Sequence, residues 1–186
     1  KIYNEKEKFL LDKNYQTLYI SSITSEHFKN CLEALKYKKN IICEKRIALN
    51  SKQIKILIKL AKQKNVSIHE MYQYKFHPLF LKIKDILKKN TLGKIKKVES
   101  KFTIPLNDIK NFRFDNRLGG GSLNDVGVYP ISLNIFLFEK LKPTIIRSDI
   151  FKSKIKPIDI SGKTTTKIDN FLFNHHWGFD KKYNNY

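Results

Sequence analysis

Hydrophobic positions in the first half of the chain follow two alternating spacings. Three short apolar runs have the length of buried strands, at 16–21, 40–43 and 66–71. Between them, apolar residues recur every three or four positions, which is the spacing of an amphipathic helix. The first such stripe, within 26–39, is Phe28, Cys31, Leu32 and Leu35, and the second, after a cap at Asn50 or Ser51, is Ile54, Leu57, Ile58 and Ala61. Strands that alternate with helices predict βαβ units and a parallel sheet.

A third helix closes this first half. Pro78 suits a first helical turn and Gly93 suits a helix end, so the helix is predicted between them. Its apolar stripe consists of Leu79, Ile83, Ile86 and Leu87. Because the rhythm changes after Gly93, we place the domain boundary near Lys94, between residues 1–93 and 94–186.

Alternation with a period of two marks the second half. Apolar and polar residues alternate from Val98 to Ile104, which predicts a longer strand with one wet face. After a loop, a helix is predicted from Ser122 to about Lys140, with strands at 144–151 and 164–173. The chain is thus predicted as α/β, with a parallel sheet first and an α+β region with an open antiparallel sheet second.

The charge of the chain introduces an alternative function. A formal net charge of +20 in 186 residues is what a basic module for nucleic acid or another polyanion would carry, and that alternative stays open here. The lysines are nevertheless scattered over outward helix positions, which is typical of a solvated face. Examples are Lys52, Lys55, Lys59 and Lys62. We therefore expect no nucleic-acid partner.

Neither a membrane nor a metal is an expected partner. No apolar run reaches the ~18 residues that span a bilayer, and the charged start at Lys1 is not a secretory signal. The only cysteines are Cys31 and Cys43, and no Cys/His cluster accompanies them. These features predict a globular cytoplasmic protein without a metal site.

Two separated clusters carry side chains suited to proton and hydride transfer. Cys43-Glu44-Lys45 ends a short apolar strand, and ligand sites of open α/β sheets lie at such strand ends. The cluster Gly119–Tyr129 begins a helix on which Asp125 and Tyr129 stand four residues apart and share one face. Gly127, between them, is expected to leave room for a ligand. A lysine, an aspartate and a tyrosine together can move a proton while a cofactor moves a hydride.

Several motifs occur in an order and spacing that resemble the Gfo/Idh/MocA oxidoreductases, named for glucose-fructose oxidoreductase and inositol dehydrogenase. They are Leu18–Ser22, His27, Leu32–Leu35, Cys43–Lys45, Ala48–Asn50, Glu70, Tyr74–Pro78, Leu92–Ile95 and Gly119–Pro130. Within the family, the segment Tyr74–Pro78 and the tyrosine at 129 look most like the dihydrodiol dehydrogenase and xylose dehydrogenase branch. Two residues depart from the family pattern, Arg46 for the usual proline and Lys75 for the usual arginine.

The resemblance implies hydride transfer between NAD or NADP and a hydroxyl or carbonyl of a small sugar, polyol or cyclic diol. Residues 1–93 would be part of a Rossmann domain without its first βαβ elements, which hold the glycine-rich phosphate turn. Residues 94–186 would be part of the C-terminal substrate and dimerisation domain, so the full-length protein is expected to be a homo-oligomer. Both ends look cut, and we expect the isolated chain to bind cofactor poorly and to turn over little.

The resemblance also implies roles for single residues. Tyr129 would be the general acid/base, Lys45 would stabilise a developing alkoxide, and Asp125 would orient the substrate or the tyrosine. Cofactor contacts would come from Ser22, Ile23, Thr24, His27, Glu44 and Lys45. Substrate contacts would come from Tyr74, Lys75, His77 and Tyr129.

Structural explanations compete with these roles. Lys45 could be one more solvated lysine, Asp125 a helix cap and Tyr129 a core residue. His27 and Tyr74 could equally serve in packing. Arg46 is the one hint of a third alternative, a family member that has lost catalysis, because it removes the fixed φ that proline gives this turn.

Overall fold

The alternating pattern of the first half folds into a parallel sheet of three strands. The computed structural model describes residues 1–139, 141–180 and 182–186, and this sheet lies in a unit of residues Lys1–Tyr72. Its elements are α1 (Lys6–Leu11), β1 (Thr17–Ile20), α2 (Thr24–Lys36), β2 (Asn40–Glu44), α3 (Ser51–Lys64) and β3 (Ile68–Met71). The strand order is β1-β2-β3 with both pairs parallel, which confirms the predicted βαβ arrangement.

The core of this unit lies between the sheet and its helices. Helix α2 buries Cys31, Ala34 and Leu35 against the apolar residues of β1 and β2. Helix α3 begins after Asn50, whose side chain accepts a hydrogen bond from the Gln53 amide, so the predicted cap is confirmed.

One residue of the predicted α3 stripe does not belong to the core. Leu57 and Ala61 are buried, whereas Ile58 is 58% exposed. The next position along a helix is rotated by about 100°. That rotation is enough to carry Ile58 out of a stripe centred on Leu57. The four lysines predicted on outward positions, Lys52, Lys55, Lys59 and Lys62, are all exposed.

The second unit, Gln73–Tyr186, contains a five-stranded sheet. Its helices and strands are α4 (Pro78–Lys88), β4 (Lys97–Pro105), α5 (Val128–Leu137), β5 (Thr144–Lys152), β6 (Asp159–Ile168), β7 (Phe171–Asp180) and β8 (Asn184–Asn185). Short 3₁₀ turns lie at Gln73–Phe76, Phe112–Phe114 and Asn116–Leu118. No helix among the described residues combines the length and apolar content that crossing a bilayer requires.

The pairing in this sheet is mixed, whereas the sequence predicts only antiparallel neighbours. The order is β5-β6-β7-β4-β8, and β4 and β7 run parallel while the other neighbours are antiparallel. Strand β7 follows β6 in a hairpin and then lies beside β4 in the sheet. An alternation of apolar and polar residues indicates that one face of the strand is exposed to solvent. It does not indicate whether the neighbouring strand is parallel or antiparallel.

The prediction of a single strand at 164–173 is wrong, because two strands share this range. The chain reverses at Asp169–Asn170, where Asp169 has a φ of 50°, and this turn separates β6 from β7. Ile168 and Phe171 flank the turn and are both buried, so the hydrophobic pattern continues across it. An Asp-Asn pair favours a turn, but the hydrophobic pattern by itself does not reveal this turn.

Helix α4 and the turn before it belong to the second unit. The ring of Tyr74 packs edge-on against Phe80 with centroids 5.3 Å apart, and Lys84 pairs with Glu139 at 2.6 Å. The compact units consequently divide after Tyr72 and not near Lys94. The domain limits 1–93 and 94–186 stay a prediction.

The boundaries and the buried face of α4 also differ from prediction. The helix ends at Lys88 instead of continuing to Gly93. Its buried residue is Phe80, whereas Leu79 and Ile83 of the predicted stripe are exposed.

The helix predicted from Ser122 to about Lys140 has two parts. A π-helical turn at Leu123–Gly127 precedes α5, which ends at Leu137, and Lys140 lies outside the described residues. Such π turns occur often at functional sites.

Candidate active site

The predicted cofactor residues of the first unit lie at one edge of its sheet. The parallel register pairs Ile20 with Cys43, so the carboxyl ends of β1 and β2 meet at the same edge. Ser22, Ile23 and Thr24 follow β1 directly, and Glu44 and Lys45 stand at the end of β2. The carboxyl edge is where open parallel sheets bind ligands.

His27 links the two turns at this edge. Its ring is 1% exposed, with Nδ1 2.8 Å from the carbonyl oxygen of Arg46 and Nε2 2.7 Å from that of Ser22. The imidazole therefore holds the turn after β1 against the turn after β2. The packing role considered for His27 is present in the structure, and a direct contact with cofactor stays a prediction.

The turn that carries Lys45 is held by hydrogen bonds between side chains and backbone groups. Its peptide bond to Arg46 is cis, and Arg46 Nη1 donates to the carbonyl oxygen of Leu49 at 3.0 Å. The amide of Ile47 donates to Glu70 Oε1 at 2.9 Å. Glu70 on β3 was assigned no role from the sequence, and its function as an anchor of this turn emerges only when β2 and β3 are paired.

Glu44 has a side-chain partner in the neighbouring strand. The hydroxyl of Tyr19 donates to a carboxylate oxygen of Glu44. The hydrogen bond to this carboxylate, together with partial burial, raises the pKa of Tyr19. Tyr19 thus remains a neutral donor at the carboxyl edge of the first sheet.

Asp125 in the second unit is bound by an arginine that the sequence did not single out. Arg113 Nε donates to Asp125 Oδ2 at 2.6 Å, and both side chains are partly buried. Hydrogen bonds between ionised partners are about twice as strong as neutral ones. The guanidinium fixes the direction of the carboxylate from the 3₁₀ turn Phe112–Phe114, which precedes the helix.

The glycine cluster shapes the loop that brings Arg113 to this position. Gly121 has a φ of +103°, which favours glycine, and its amide donates to the carbonyl oxygen of Arg113 at 2.9 Å. Asp159 Oδ2 accepts hydrogen bonds from Ser122 Oγ and the Leu123 amide, each at 2.6 Å. Asp159 therefore caps the start of the π turn.

The sequence predicted that Gly127 leaves room for a ligand. In the structure, a side chain of the protein itself lies against Gly127. A Cβ at Gly127 would lie 3.0 Å from ring carbons of Trp177. Trp177 is buried, and its indole fills the space beside the π turn.

Tyr129 lines a cavity of about 820 Å³ in the second unit. Its ring centroid lies 4.9 Å from that of Phe102 and 6.0 Å from that of Tyr74. The walls are largely aromatic and include Tyr74, Phe76, Phe80, Phe102, Tyr183 and Tyr186. His77 also lines the cavity, so the structure brings together three of the four predicted substrate residues.

Tyr74 supports the helix that carries Tyr129. The Ser132 hydroxyl donates to the carbonyl oxygen of Tyr129 at 2.9 Å, so in its 2.6 Å contact with Tyr74 it must accept. Burial raises the pKa of Tyr74 to about 12, and its hydroxyl remains protonated at neutral pH.

The two other predicted substrate residues have partners within the second unit. His77 Nδ1 accepts from the Leu79 amide at 3.2 Å, which places His77 at the N-cap of α4. Lys75 Nζ lies 4.0 Å from the ring centroid of Phe136 and is not among the residues that line the cavity. Lys45 lies in the first unit, and its proposed cooperation with Asp125 and Tyr129 is a matter for experiment.

Comparison with known proteins gives two successive family matches. Residues 1–72 match a model described as an oxidoreductase family with an NAD-binding Rossmann fold, and residues 80–165 match one described as a GFO/IDH/MocA C-terminal domain.

Curated relatives include a trans-1,2-dihydrobenzene-1,2-diol dehydrogenase of Xenopus laevis. It is 30% identical over 143 residues, which are 77% of this chain and 43% of that protein. The D-xylose 1-dehydrogenase (NADP(+)) of Hypocrea jecorina is 28% identical, over 71% of this chain and 36% of its own length. The chain thus spans less than half the length of these relatives.

Solved structures share the fold at lower sequence identity. The 3-ketoreductase KijD10 from Actinomadura kijaniata, in complex with NADP and TDP-benzene, matches 97% of this chain with a TM-score of 0.84 and 22% identity, over 56% of its own length. The aldose-aldose oxidoreductase of Caulobacter crescentus with glycerol matches 93% of this chain and 53% of its own, with a TM-score of 0.87 and 17% identity.

Proposed function

This chain belongs to the Gfo/Idh/MocA family of oxidoreductases, and from that premise we propose that it is part of an NAD- or NADP-dependent enzyme. The reaction would move a hydride between the nicotinamide and a hydroxyl or carbonyl carbon of a sugar, a polyol or a cyclic diol. The observation that carries the proposal is Tyr129, a phenol in the wall of a cavity of about 820 Å³, one turn beyond Asp125.

The chain's own residues would handle the proton. In the oxidation of an alcohol, the phenolate form of Tyr129, which the Lys45 ammonium would favour, takes the proton of the substrate hydroxyl while the hydride leaves the carbon that bears this hydroxyl. In reduction, Tyr129 returns the proton to the carbonyl oxygen. Asp125, held by Arg113, orients the reacting groups, and the Lys45 ammonium stabilises the developing alkoxide.

The carboxyl edge of the first sheet suits a nicotinamide cofactor. Ser22 and Thr24 place hydroxyl groups after β1, and Lys45 stands directly after β2. When bound, the cofactor supplies the acceptor or donor of the hydride. The glycine-rich turn that binds the pyrophosphate in such folds is not among these 186 residues, so the chain by itself should bind cofactor weakly. Micromolar binding of NADP to the isolated chain in titration calorimetry would contradict this expectation.

The walls of the cavity favour a substrate with an apolar ring. Each buried sugar hydroxyl without a partner would cost about 1–3 kcal/mol, and the walls here are mostly aromatic and aliphatic. We therefore expect a cyclic diol to be a better substrate than a free sugar. This preference agrees with the name of one relative, a trans-1,2-dihydrobenzene-1,2-diol dehydrogenase.

The experiment uses the longest open reading frame that contains this chain. Purified protein is mixed with NADP and either trans-1,2-cyclohexanediol or D-xylose, and the absorbance of reduced nicotinamide is followed. The diol should react faster, and Tyr129→Phe should lower kcat by about 100-fold. Tyr37→Phe, in the first unit, is the matched control and should leave the rate unchanged. Equal rates for wild type and Tyr129→Phe would remove the support for this function.

Two accompanying expectations concern the same longer protein. We propose that it forms a homo-oligomer, which light scattering coupled to gel filtration would test. We also propose a cytoplasmic location, which fractionation of the source cells would test.

A further inference from the structure

Four buried polar side chains form a connected group beneath the cavity of Tyr129. His175 on β7, Ser100 on β4, Asn134 on α5 and Thr166 on β6 are each at most 4% exposed. Ser100 also lines the cavity, so the group ends at its floor. Buried polar groups of this kind are normally hydrogen-bonded, so the contacts between them constrain which atoms donate and which accept.

The assignment starts at the amide of Asn134. The amide nitrogen of Asn134 lies 3.0 Å from His175 Nε2, and its oxygen lies 3.2 Å from Thr166 Oγ1. The same hydroxyl lies 3.2 Å from His175 Nε2 and 3.3 Å from the carbonyl oxygen of Phe173. An amide nitrogen can only donate. His175 Nε2 must therefore accept, and a neutral imidazole that accepts at Nε2 carries its hydrogen on Nδ1.

The hydrogen on Nδ1 determines that Ser100 accepts a hydrogen bond from His175 and does not donate one to it. His175 Nδ1 lies 3.1 Å from Ser100 Oγ, and as a donor it occupies a lone pair of that oxygen. The hydroxyl hydrogen of Ser100 is then directed away from His175. We propose that Ser100 donates this hydrogen to an oxygen atom of the substrate in the Tyr129 cavity, and that His175 is the positioning residue that makes Ser100 a donor. This inference rests on the proposed function, because it takes the cavity as the substrate site.

Burial keeps His175 in the neutral state that the assignment needs. Removal from water lowers the pKa of His175 to about 4, and the neighbouring His176 lowers it further while the carbonyl of Pro130 opposes the shift. A proton on Nε2 would also face the N–H₂ group of Asn134, which is a donor. At neutral pH, His175 is therefore uncharged.

A single donor on the floor of this cavity has a large effect on selectivity. Sites that hydrogen-bond an oxygen of the substrate discriminate strongly against analogues that lack it, since the polar group of the site is then left unpaired. The ligand class that fits is an alicyclic ketone or alcohol, with its ring against the aromatic walls and its oxygen towards Ser100.

A reversed network predicts the opposite behaviour. If the Asn134 amide were turned by half a rotation, its oxygen would accept from a hydrogen on His175 Nε2. Ser100 would then donate to His175 Nδ1 and would offer the cavity no hydrogen. The two networks differ in one proton position, which nitrogen NMR measures directly.

The first experiment determines the tautomer in the ¹⁵N-labelled 186-residue chain. Long-range ¹H–¹⁵N correlation at neutral pH should show His175 with a protonated Nδ1 and an unprotonated Nε2. Thr166→Val removes the hydroxyl that contacts both Asn134 Oδ1 and His175 Nε2, and it should shift this pattern. Thr165→Val is the matched control, because Thr165 bonds Asn174 at 2.9 Å in a separate contact, and it should leave the pattern unchanged. A protonated Nε2 in the wild type would overturn the inference.

The second experiment measures how much more tightly the cavity binds a ring with a carbonyl oxygen than a ring of the same shape without one. Cyclohexanone and methylenecyclohexane have the same shape, and their binding is followed through the backbone amides of Phe102 and Tyr129. Cyclohexanone should bind about tenfold more tightly to the wild type, the equivalent of ~1.4 kcal/mol. Ser100→Ala should abolish this preference, and Thr166→Val should reduce it although Thr166 does not line the cavity.

The outcomes separate this inference from the function on which it rests. Equal affinities for the two probes in the wild type, or an unchanged preference in Ser100→Ala, would overturn the inference and leave the proposed function intact. Failure of both probes to shift Phe102 or Tyr129 would contradict the cavity as a substrate site, and with it both proposals. Dispersed amide spectra of each variant establish that it is folded.

Discussion

The turn that carries Lys45 and the turn that carries Asp125 are built in different ways. The first follows a buried parallel strand, and its position is set largely by the strand that precedes it. The second follows an irregular loop and is held by side chains far along the chain, with Asp159 at its start and Trp177 beside Gly127. The geometry of Lys45 depends first on the strand before it, with support from His27 and Glu70, whereas that of Asp125 and Tyr129 depends mainly on side chains far along the chain.

The largest expected effect comes from Trp177, on which the second turn packs. Trp177→Ala should lower the free energy of unfolding of the second unit by about 3–5 kcal/mol, because it leaves a cavity beside Gly127. Urea denaturation followed by amide NMR measures this for each unit. Trp177→Phe, which retains a ring, should cost less. A loss below about 1 kcal/mol for the alanine variant would mean that the indole does not support the π turn.

His175 provides the next largest effect, as a dependence of stability on pH. Its pKa is lowered from an ordinary 6.5 to about 4 by burial, so the unfolded chain binds the proton more readily. Stability should therefore fall as the pH drops from 6.5 towards 4, by about 3 kcal/mol for this group, and this contribution should change no further below that window.

The control for this pH dependence is His175→Gln, which cannot titrate. The difference between wild type and variant in urea unfolding at pH 7 and pH 4 isolates the histidine from the carboxylates, which titrate in both proteins. An identical pH dependence for the two proteins would show that His175 is not buried as described.

Asp159 should have a smaller effect. Asp159→Ala removes the acceptor for Ser122 Oγ and the Leu123 amide and should cost about 1–2 kcal/mol. Asp159→Asn keeps an acceptor oxygen and is the matched control, with a smaller loss. Urea denaturation compares them, and equal stability of alanine variant and wild type would contradict the role of Asp159 as the cap.

Glu70 gives the smallest effect and tests the first turn. Glu70→Ala removes the acceptor for the Ile47 amide and should cost about 1 kcal/mol, since backbone direction already places the Lys45 turn. Glu70→Gln keeps an acceptor and should be close to wild type in the same urea titration. A loss larger than that of Asp159→Ala would reverse the contrast between the two turns.

The first sheet could be predicted because its signals are local. Apolar runs and helical stripes fixed β1 to β3, and Asn50 marked the start of α3. The position of Lys45 at a carboxyl edge followed from the same reading. The contacts by which His27 and Glu70 support this edge could not be predicted, because they depend on which strands are neighbours in the sheet.

The second sheet could be predicted only in part because its determinants are distant. The parallel pairing of β4 with β7 joins segments more than 60 residues apart, and no periodicity encodes it. Arg113 and Asp159 are ordinary loop and strand residues in the sequence, yet they position Asp125 and cap its helix. The sequence suggested that Gly127 leaves room for a ligand, because the indole that fills this space comes 50 residues later, at Trp177.

Lys45 and Tyr129 are proposed to serve one hydride-transfer reaction. The direct test measures kcat and KM for NADP-dependent oxidation of trans-1,2-cyclohexanediol by Lys45→Met, Tyr129→Phe and the double variant, in the longest reading frame that contains this chain. We expect each single substitution to lower kcat by about 100-fold and the double variant to lose less than the product of the two, as groups that act as a unit do. Rates equal to wild type in both single variants would contradict the claim.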